Sequence, residues 1–386
     1  MKKLDCNNAL RMETFDLPVM ARPFAEANDK PLRMALTTPQ LFSPRSCLLV
    51  GCGDSYCAGV AAKPLFQQLG GIRTEALSAM EASRHWPKGR IGSEPCNPLL
   101  YVISASGTVS RNIEVCQRAA ACGVGALTVA VTAHPESPMA KASQAVLPIS
   151  PTPFDSGFDE HSPGLRSYYA SLYALCSSAI RMGEVKMRYP MSQADDYRRA
   201  MVEYAESFGG EVMEQIDDAM FELAQQWQEF DSFEFLGSGA QMATAWFDAA
   251  KIYEATGDVA TYEDMENWCH VNYFARDHRR VGTVLTISKD SPAMVRALEV
   301  AEVLARLRPT LIVTDADAAL FPKEAVVCQL PSPRYGILAP LMDYVPVALL
   351  SGYLARLKGV SLFRGGEPAF QSQPTHFLKT SQIEIV

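Results

Sequence analysis

Two Gly-x-Gly turns 186 residues apart, each closing a short apolar run and opening a helical pattern, decide most of what this chain can fold into. Residues 47–50 (CLLV) read as a buried strand that stops at Gly51-Cys52-Gly53. The helix after it runs through Ala61 and Leu65 towards Gly70-Gly71. Residues 98–104 (PLLYVIS) are a second strand, followed by the loop Ser104-Ala105-Ser106-Gly107-Thr108 and a helix ending near Gly123. Residues 126–132 (ALTVAVT) are a third. The rhythm restarts at residues 233–236, where Gly237-Ser238-Gly239 leads into a helix through Ala250 and Tyr253. Strands at 281–287 and 310–314 and a helical pattern over 291–307 complete it. Buried runs alternating with amphipathic helices predict an α/β fold: a parallel, doubly wound sheet with helices on both faces. Repetition at a constant offset predicts two copies of that unit. The expected organisation is a helical N-terminal segment over 1–40, domains over 41–195 and 196–362, and a tail over 363–386 that either frays or is used.

The length, 386 residues, gives each copy enough chain for its own core. With 35 basic against 43 acidic residues, the net charge of −8 argues against a general nucleic-acid or anionic-membrane binder. A hydrophobic share of 48% with 20% charged residues excludes disorder as the dominant state. No run reaches the roughly 20 apolar residues of a membrane span; the most apolar late stretch, 337–357, is interrupted by Asp343, Pro346 and Arg356. The opening Met-Lys-Lys is not followed by the apolar segment of a secretory leader. Ten cysteines at irregular spacing, with no CxxC pair, predict reduced thiols in a cytoplasmic protein rather than a zinc ribbon. No metal or cofactor is expected. There is no GK[ST] of a Walker A loop, Tyr56 stands at the third glycine of GxGxxG, and no GxSxG elbow occurs.

Ligands of a doubly wound sheet bind beyond the carboxyl ends of its strands, where loop amides and helix starts offer donors to anions. Ser104, Ser106 and Thr108, with Ala105 and Gly107 between them and Ser110 at the helix start, supply hydroxyls and a close backbone approach. Cys52, Gly53, Asp54 and Ser55 form a second wall. The alternative role for these serines is to cap the helices that follow them.

LLVGCGDSYCAG (48–59), YVISASGTVSRN (101–112) and PESPMAKAS (135–143) resemble a sugar isomerase (SIS) domain. With FLGSGAQMATAWFDAAKIYEA (235–255) in the second half, nearly the whole chain resembles the tandem-SIS isomerase part of glucosamine-6-phosphate synthase, without its glutaminase domain. Residues 12–20 resemble the short helix that precedes the first domain in that family. The resemblance implies a catalytic set of Glu254, Lys251, His270 and Lys379. Lys251 and Glu254 share a helix face at i and i+3. Glu254 corresponds to the family's base, which shuttles a proton between the first two sugar carbons. His270, 16 residues on, corresponds to a histidine that reaches into the neighbouring subunit's site for ring opening. Lys379, in HFLKTSQIEIV, corresponds to a lysine that meets the open-chain carbonyl. Ser167, in LRSYYA, matches a pocket serine. The roles suit the chemistry, since aldose–ketose interconversion needs one carboxylate serving two carbons and an acid/base near the ring oxygen. Taken singly, Glu254 could instead pair with Lys251 on a solvated face, His270 could be a packed core histidine, and Lys379 an ordinary tail lysine.

The sequence departs from the family in three places. Val109 takes the place of the loop threonine, Asp54 stands beside Ser55, and His270 lies in ENWCHVN (266–272) rather than GExKHGP. The resemblance implies a homodimer with shared sites that acts on a 6-phosphorylated sugar or amino sugar, as an isomerase or a glucosamine-6-phosphate deaminase. A deglycase of fructosamine 6-phosphates and a non-catalytic sugar-phosphate sensor remain open as alternatives.

Overall fold

The computed structural model describes residues 2–91, 98–122, 125–371 and 381–386. Among the described residues the strands are β1 (Ser46–Gly51), β2 (Arg73–Ser78), β3 (Leu99–Ile103), β4 (Leu127–Thr132), β5 (Ala145–Pro148), β6 (Ser232–Gly237), β7 (Val259–Asp264), β8 (Val281–Ile287), β9 (Thr310–Thr314) and β10 (Val326–Gln329). They form two all-parallel sheets, ordered β2-β1-β3-β4-β5 and β10-β9-β8-β6-β7. Counted within each copy, both follow the flavodoxin-like order 2-1-3-4-5. The expected α/β fold with a repeated unit is therefore present. The repeat extends to register: Ser46 lies opposite Arg73 and Gly51 opposite Ser78, while Ser232 lies opposite Val259 and Gly237 opposite Asp264.

Each copy has three strands that the sequence pattern announces and two that it does not. β1, β3 and β9 are buried along their whole length, so they read as continuous apolar runs. β2 and β7 are edge strands with one buried residue each, and β5 and β10 are four residues long. None of the four carries enough apolar residues to stand out from a loop.

The chain divides into two units. The first contains β1–β5, the helix Arg166–Val185 and residues 381–386; the second contains β6–β10 together with residues 2–21 and 153–165. In the first, Leu48, Val50, Leu100 and Val102 pack with Ile113, Cys116 and Met139. In the second, Leu236, Leu285 and Ile312 pack with Trp268, Val300 and Leu304. The buried Glu234 of β6 sits inside this second unit and is fully engaged. Trp268 Nε1 donates to it at 2.6 Å, and Arg308 and Asn272 close on its two oxygens. Removing one member of such a buried pair costs about 3–5 kcal/mol. The cluster therefore pins the segment carrying His270 to the sheet.

The segment Gly336–Lys358 is long and apolar enough to cross a membrane by length and composition, which corrects the expectation that no run reaches that size. Its most apolar window is 94% buried inside the protein, and Val345 to Ala355 are all buried. Its hydropathy is that of a core helix.

Candidate active site

In the first sheet the strand order reverses between β1 and β3, so the loops after these two strands open side by side at the sheet's carboxyl edge. Gly51 ends β1 where a Cβ would come within 2.6 Å of the Ser55 backbone, and Gly53 turns the chain at φ +53° into the helix Asp54–Gln68. The close strand-to-helix turn depends on both glycines. After β3, Ser104 is buried, and its hydroxyl accepts from the Gly107 amide at 3.1 Å. Gly107 has φ +63°, and a Cβ there would lie 2.1 Å from the Ser137 hydroxyl. The half-buried Ser106 and Thr108 hydroxyls lie 3.0 Å apart at the loop's crest. The loop is locked from behind: Ala105 accepts from the Thr132 hydroxyl and the Ala133 amide, each at 3.1 Å, and Asn112 Nδ2 donates to Ile103 at 2.9 Å.

Neither helix that begins at this edge is capped by a side chain among the described residues. The N-cap positions are Gly53 for Asp54–Gln68 and Val109 for Ser110–Ala121. Their first-turn amides keep the partial positive charge of a helix start. Asp54 and Ser55 open the first helix and Ser110 the second. Cys52 is exposed, its thiol 3.8 Å from Asn112 Oδ1. Ser167 is half-buried at the start of Arg166–Val185.

The final residues are used rather than frayed. The Glu384 carboxylate pairs with Arg84 at 2.7 Å, and its amide donates to Glu114 at 2.9 Å. Arg111 meets the Gln382 carbonyl, Arg118 donates to Val386 at 3.1 Å, and Ile383 packs on the core. Burial works against the charge on Glu114, but the Glu384 amide and Arg84 outweigh it and hold the carboxyl below its usual range. Residues 381–386 are thereby fastened along the helix that starts at the hydroxyl loop. Lys379 lies outside the described residues.

In the second unit the helix Gln241–Ala255 carries the Lys251–Glu254 ion pair. Lys251 is fully buried, with its Nζ 2.5 Å from Glu254 Oε2 and 4.5 Å from the Phe247 ring centroid. Glu254 keeps 36% of its side chain exposed. The structure thus joins these two predicted residues: a buried ammonium grips a carboxylate that still reaches solvent. One turn earlier, Asp248 is buried with neither oxygen hydrogen-bonded among the described residues. Burial and then Asp343 push its carboxyl well above the usual range, against the pull of Lys251. Asp248 escapes a pattern search because it sits in the apolar stretch TAWFDAAK, where spacing alone does not separate it from a solvated aspartate. His270 closes the short helix Met265–His270, with its side chain 72% exposed and Nε2 3.2 Å from Glu266 on its own helix. Val271 and Phe274 beside it are also exposed. His270 is therefore a surface residue and not a packed core histidine.

These features can be set beside known proteins. Residues 40–181 match the SIS domain family. The second sheet repeats the strand order of the sheet in the matched region. It is 24% identical over 354 residues to the glutamine–fructose-6-phosphate aminotransferase of Haemophilus influenzae, and 25% identical over 352 residues to that of Shewanella oneidensis. Each alignment takes in 87% of this chain and 51% of the relative, so the chain spans about half the length of the curated relatives it matches. Among solved structures it is similar in fold to the C-terminal domain of glucosamine-fructose-6-phosphate aminotransferase from Francisella tularensis, with TM-score 0.77 and 16% identity. That likeness covers 94% of this chain and all of the other. Glucosamine-6-phosphate deaminase from Thermotoga maritima has TM-score 0.66 at 16% identity, covering 92% of this chain and 97% of its own. Tagatose-6-phosphate ketose/aldose isomerase from Escherichia coli has TM-score 0.67 at 14% identity, covering 93% and 97%.

The hydroxyl loop leaves no space behind Gly107. Gly107→Ala is expected to destabilise the protein by about 1–3 kcal/mol and to abolish protection of the protein by a hexose 6-phosphate in thermal unfolding. Ser106→Ala should lose that protection while melting like the parent protein. Ligand protection that survives both substitutions would place the anion elsewhere.

Proposed function

We propose that this protein is an enzyme that binds a 6-phosphorylated sugar or amino sugar and moves a proton between C1 and C2, as an aldose–ketose isomerase or a glucosamine-6-phosphate deaminase. The observation that carries this reading is the Lys251–Glu254 pair, a half-exposed carboxylate held by a fully buried ammonium. A proton shuttle must be ionised, fixed in place and open to substrate at once. In this reading Glu254 takes a proton from one carbon and returns it to its neighbour. Lys251 fixes the carboxylate in place. The phosphate rests on Ser106, Thr108 and the uncapped starts of the two helices, with Cys52, Gly53, Ser55, Ser104, Ala105, Ser110 and Ser167 around it. Lys379 would polarise the open-chain carbonyl.

A second reading has one observation in its favour. Asp54 places a carboxylate in the first turn of the helix after β1, where an amine on the substrate would be welcome. That suits a deglycase of fructosamine 6-phosphates. Shared sites in a homodimer are part of the same proposal, supported by the exposure of His270 and of Val271 and Phe274 beside it. A cytoplasmic location accords with the described cysteines being free and mostly buried.

Glu254→Gln is expected to keep sugar-phosphate binding and to lose turnover by about 10²–10⁴-fold. The assay is a panel of hexose, amino-sugar and fructosamine 6-phosphates, followed for ketose, ammonia and free amino acid. Full turnover by this variant would remove the shuttle role, and ligand binding without turnover by the parent protein would favour a sensor. If His270 serves the partner's site, mixing inactive Glu254→Gln with inactive His270→Ala subunits should restore activity, because one site of each mixed dimer is intact. Absence of restoration after proven subunit exchange would contradict sharing.

A further inference from the structure

The second unit repeats the strand-end position of the hydroxyl loop with the opposite chemistry. In the first unit, Ser104 follows β3 and Ala133 follows β4; in the second, Ser288 follows β8 and Asp315 follows β9. Asp315 thus adds a carboxylate where the first unit has a methyl group. A cavity of about 10 Å³ opens there, lined by Ser288, Asp315, Asp343, Gln241 and Tyr204 among others. That volume holds about one water-sized body.

Two of the lining residues have unused polar atoms. The Ser288 hydroxyl and Asp315 Oδ2 are buried without a hydrogen-bond partner among the described residues, in residues only 6% and 8% exposed. The other Asp315 oxygen accepts from the Lys289 amide at 2.8 Å. Asp343 is 3% exposed; it accepts from the Thr244 hydroxyl at 2.7 Å and from Gln241 at 3.5 Å. None of the described lining residues is a lysine, arginine or histidine. Two buried carboxyls with no counter-ion, beside an unpartnered hydroxyl, leave a deficit of positive charge that one small guest would meet. An anion is excluded by the same two carboxyls. Among the described residues no group of three or more His, Cys, Asp or Glu is placed to hold a metal. The donor set of two carboxyls and neutral oxygens therefore suits a singly charged ion, not a divalent one that demands more charged ligands.

We propose that this cavity binds one small monovalent cation of the potassium or ammonium class, ligated by Asp315, Asp343 and the Ser288 hydroxyl. The ion ties the ends of β8 and β9 to the segment before the helix Val345–Lys358. The inference stands apart from the proposed activity, since it uses none of the residues assigned to it.

A proton competes for the same place. Burial, and then Asp315, push the Asp343 carboxyl up to about 7 despite the Thr244 and Gln241 hydrogen bonds. The groups facing it are Asp315, Asp248 on Gln241–Ala255, Tyr204 on Met191–Glu206, and Tyr344.

The test is thermal unfolding of the full chain in potassium, ammonium, sodium and tetramethylammonium chloride at equal ionic strength. A small cation should raise Tm saturably over tetramethylammonium, which is too large for the cavity. Potassium outranking ammonium would indicate a spherical ion, and the reverse a hydrogen-bonding one. Asp315→Asn should abolish the effect. Ser288→Ala, which removes a single oxygen and should fold, should move the half-saturating concentration about tenfold upward. A crystal grown in rubidium chloride should show an anomalous peak among Asp315, Asp343 and Ser288. Equal Tm in all four salts, or a salt response unchanged in Ser288→Ala, would overturn the proposal, as would water at that place in the rubidium crystal.

Discussion

A parallel sheet of order 2-1-3-4-5 sends its crossovers to opposite faces from two neighbouring strands, and the chain cannot close the gap between the loops that begin them. That topological constraint operates twice here, with β1 beside β3 and β6 beside β8 in matching register. At each gap the backbone is already committed to short turns and helix starts. Only the side chains in those turns remain free to choose the ligand.

The two copies have made different choices. In the first unit, Ser106 and Thr108 at the loop crest and two helix starts without side-chain caps among the described residues make a donor-rich edge, with the Asp54 carboxylate in one first turn. In the second, Asp315 and Asp343 make the corresponding edge acidic, so the repeat in fold is not a repeat in site. In the second unit, the helix Gln241–Ala255 buries Lys251 against Phe247 and pairs it with Glu254. A buried ammonium is expensive to desolvate, and the carboxylate it holds offsets part of that cost.

Much of this was legible in the sequence. The runs that became β1, β3, β4, β6, β8 and β9 announce themselves because parallel central strands are buried on both faces. The offset of 186 residues between the Gly-x-Gly turns survives as residue pairing in the sheets. The Lys251–Glu254 contact follows from helical spacing alone. Edge strands β2 and β7 were invisible because half-exposed strands lack an apolar run. The anchoring of residues 381–386 by Arg84, Arg111, Arg118 and Glu114 depends on partners some 270 to 300 positions away, which local pattern cannot supply. Asp248, Asp315 and Asp343 look like ordinary surface aspartates until the fold buries them.

The central claim is that a single carboxylate relays hydrogen between adjacent carbons of a bound sugar phosphate. It is tested most directly by incubating the protein with hexose and amino-sugar 6-phosphates in deuterium oxide and following the C2 proton by NMR. The account predicts that deuterium enters at C2 of one such sugar at a rate that depends on the Glu254 carboxylate. A sugar phosphate that binds tightly and keeps its C2 proton through prolonged incubation, or one that exchanges it as fast without that carboxylate, would contradict it.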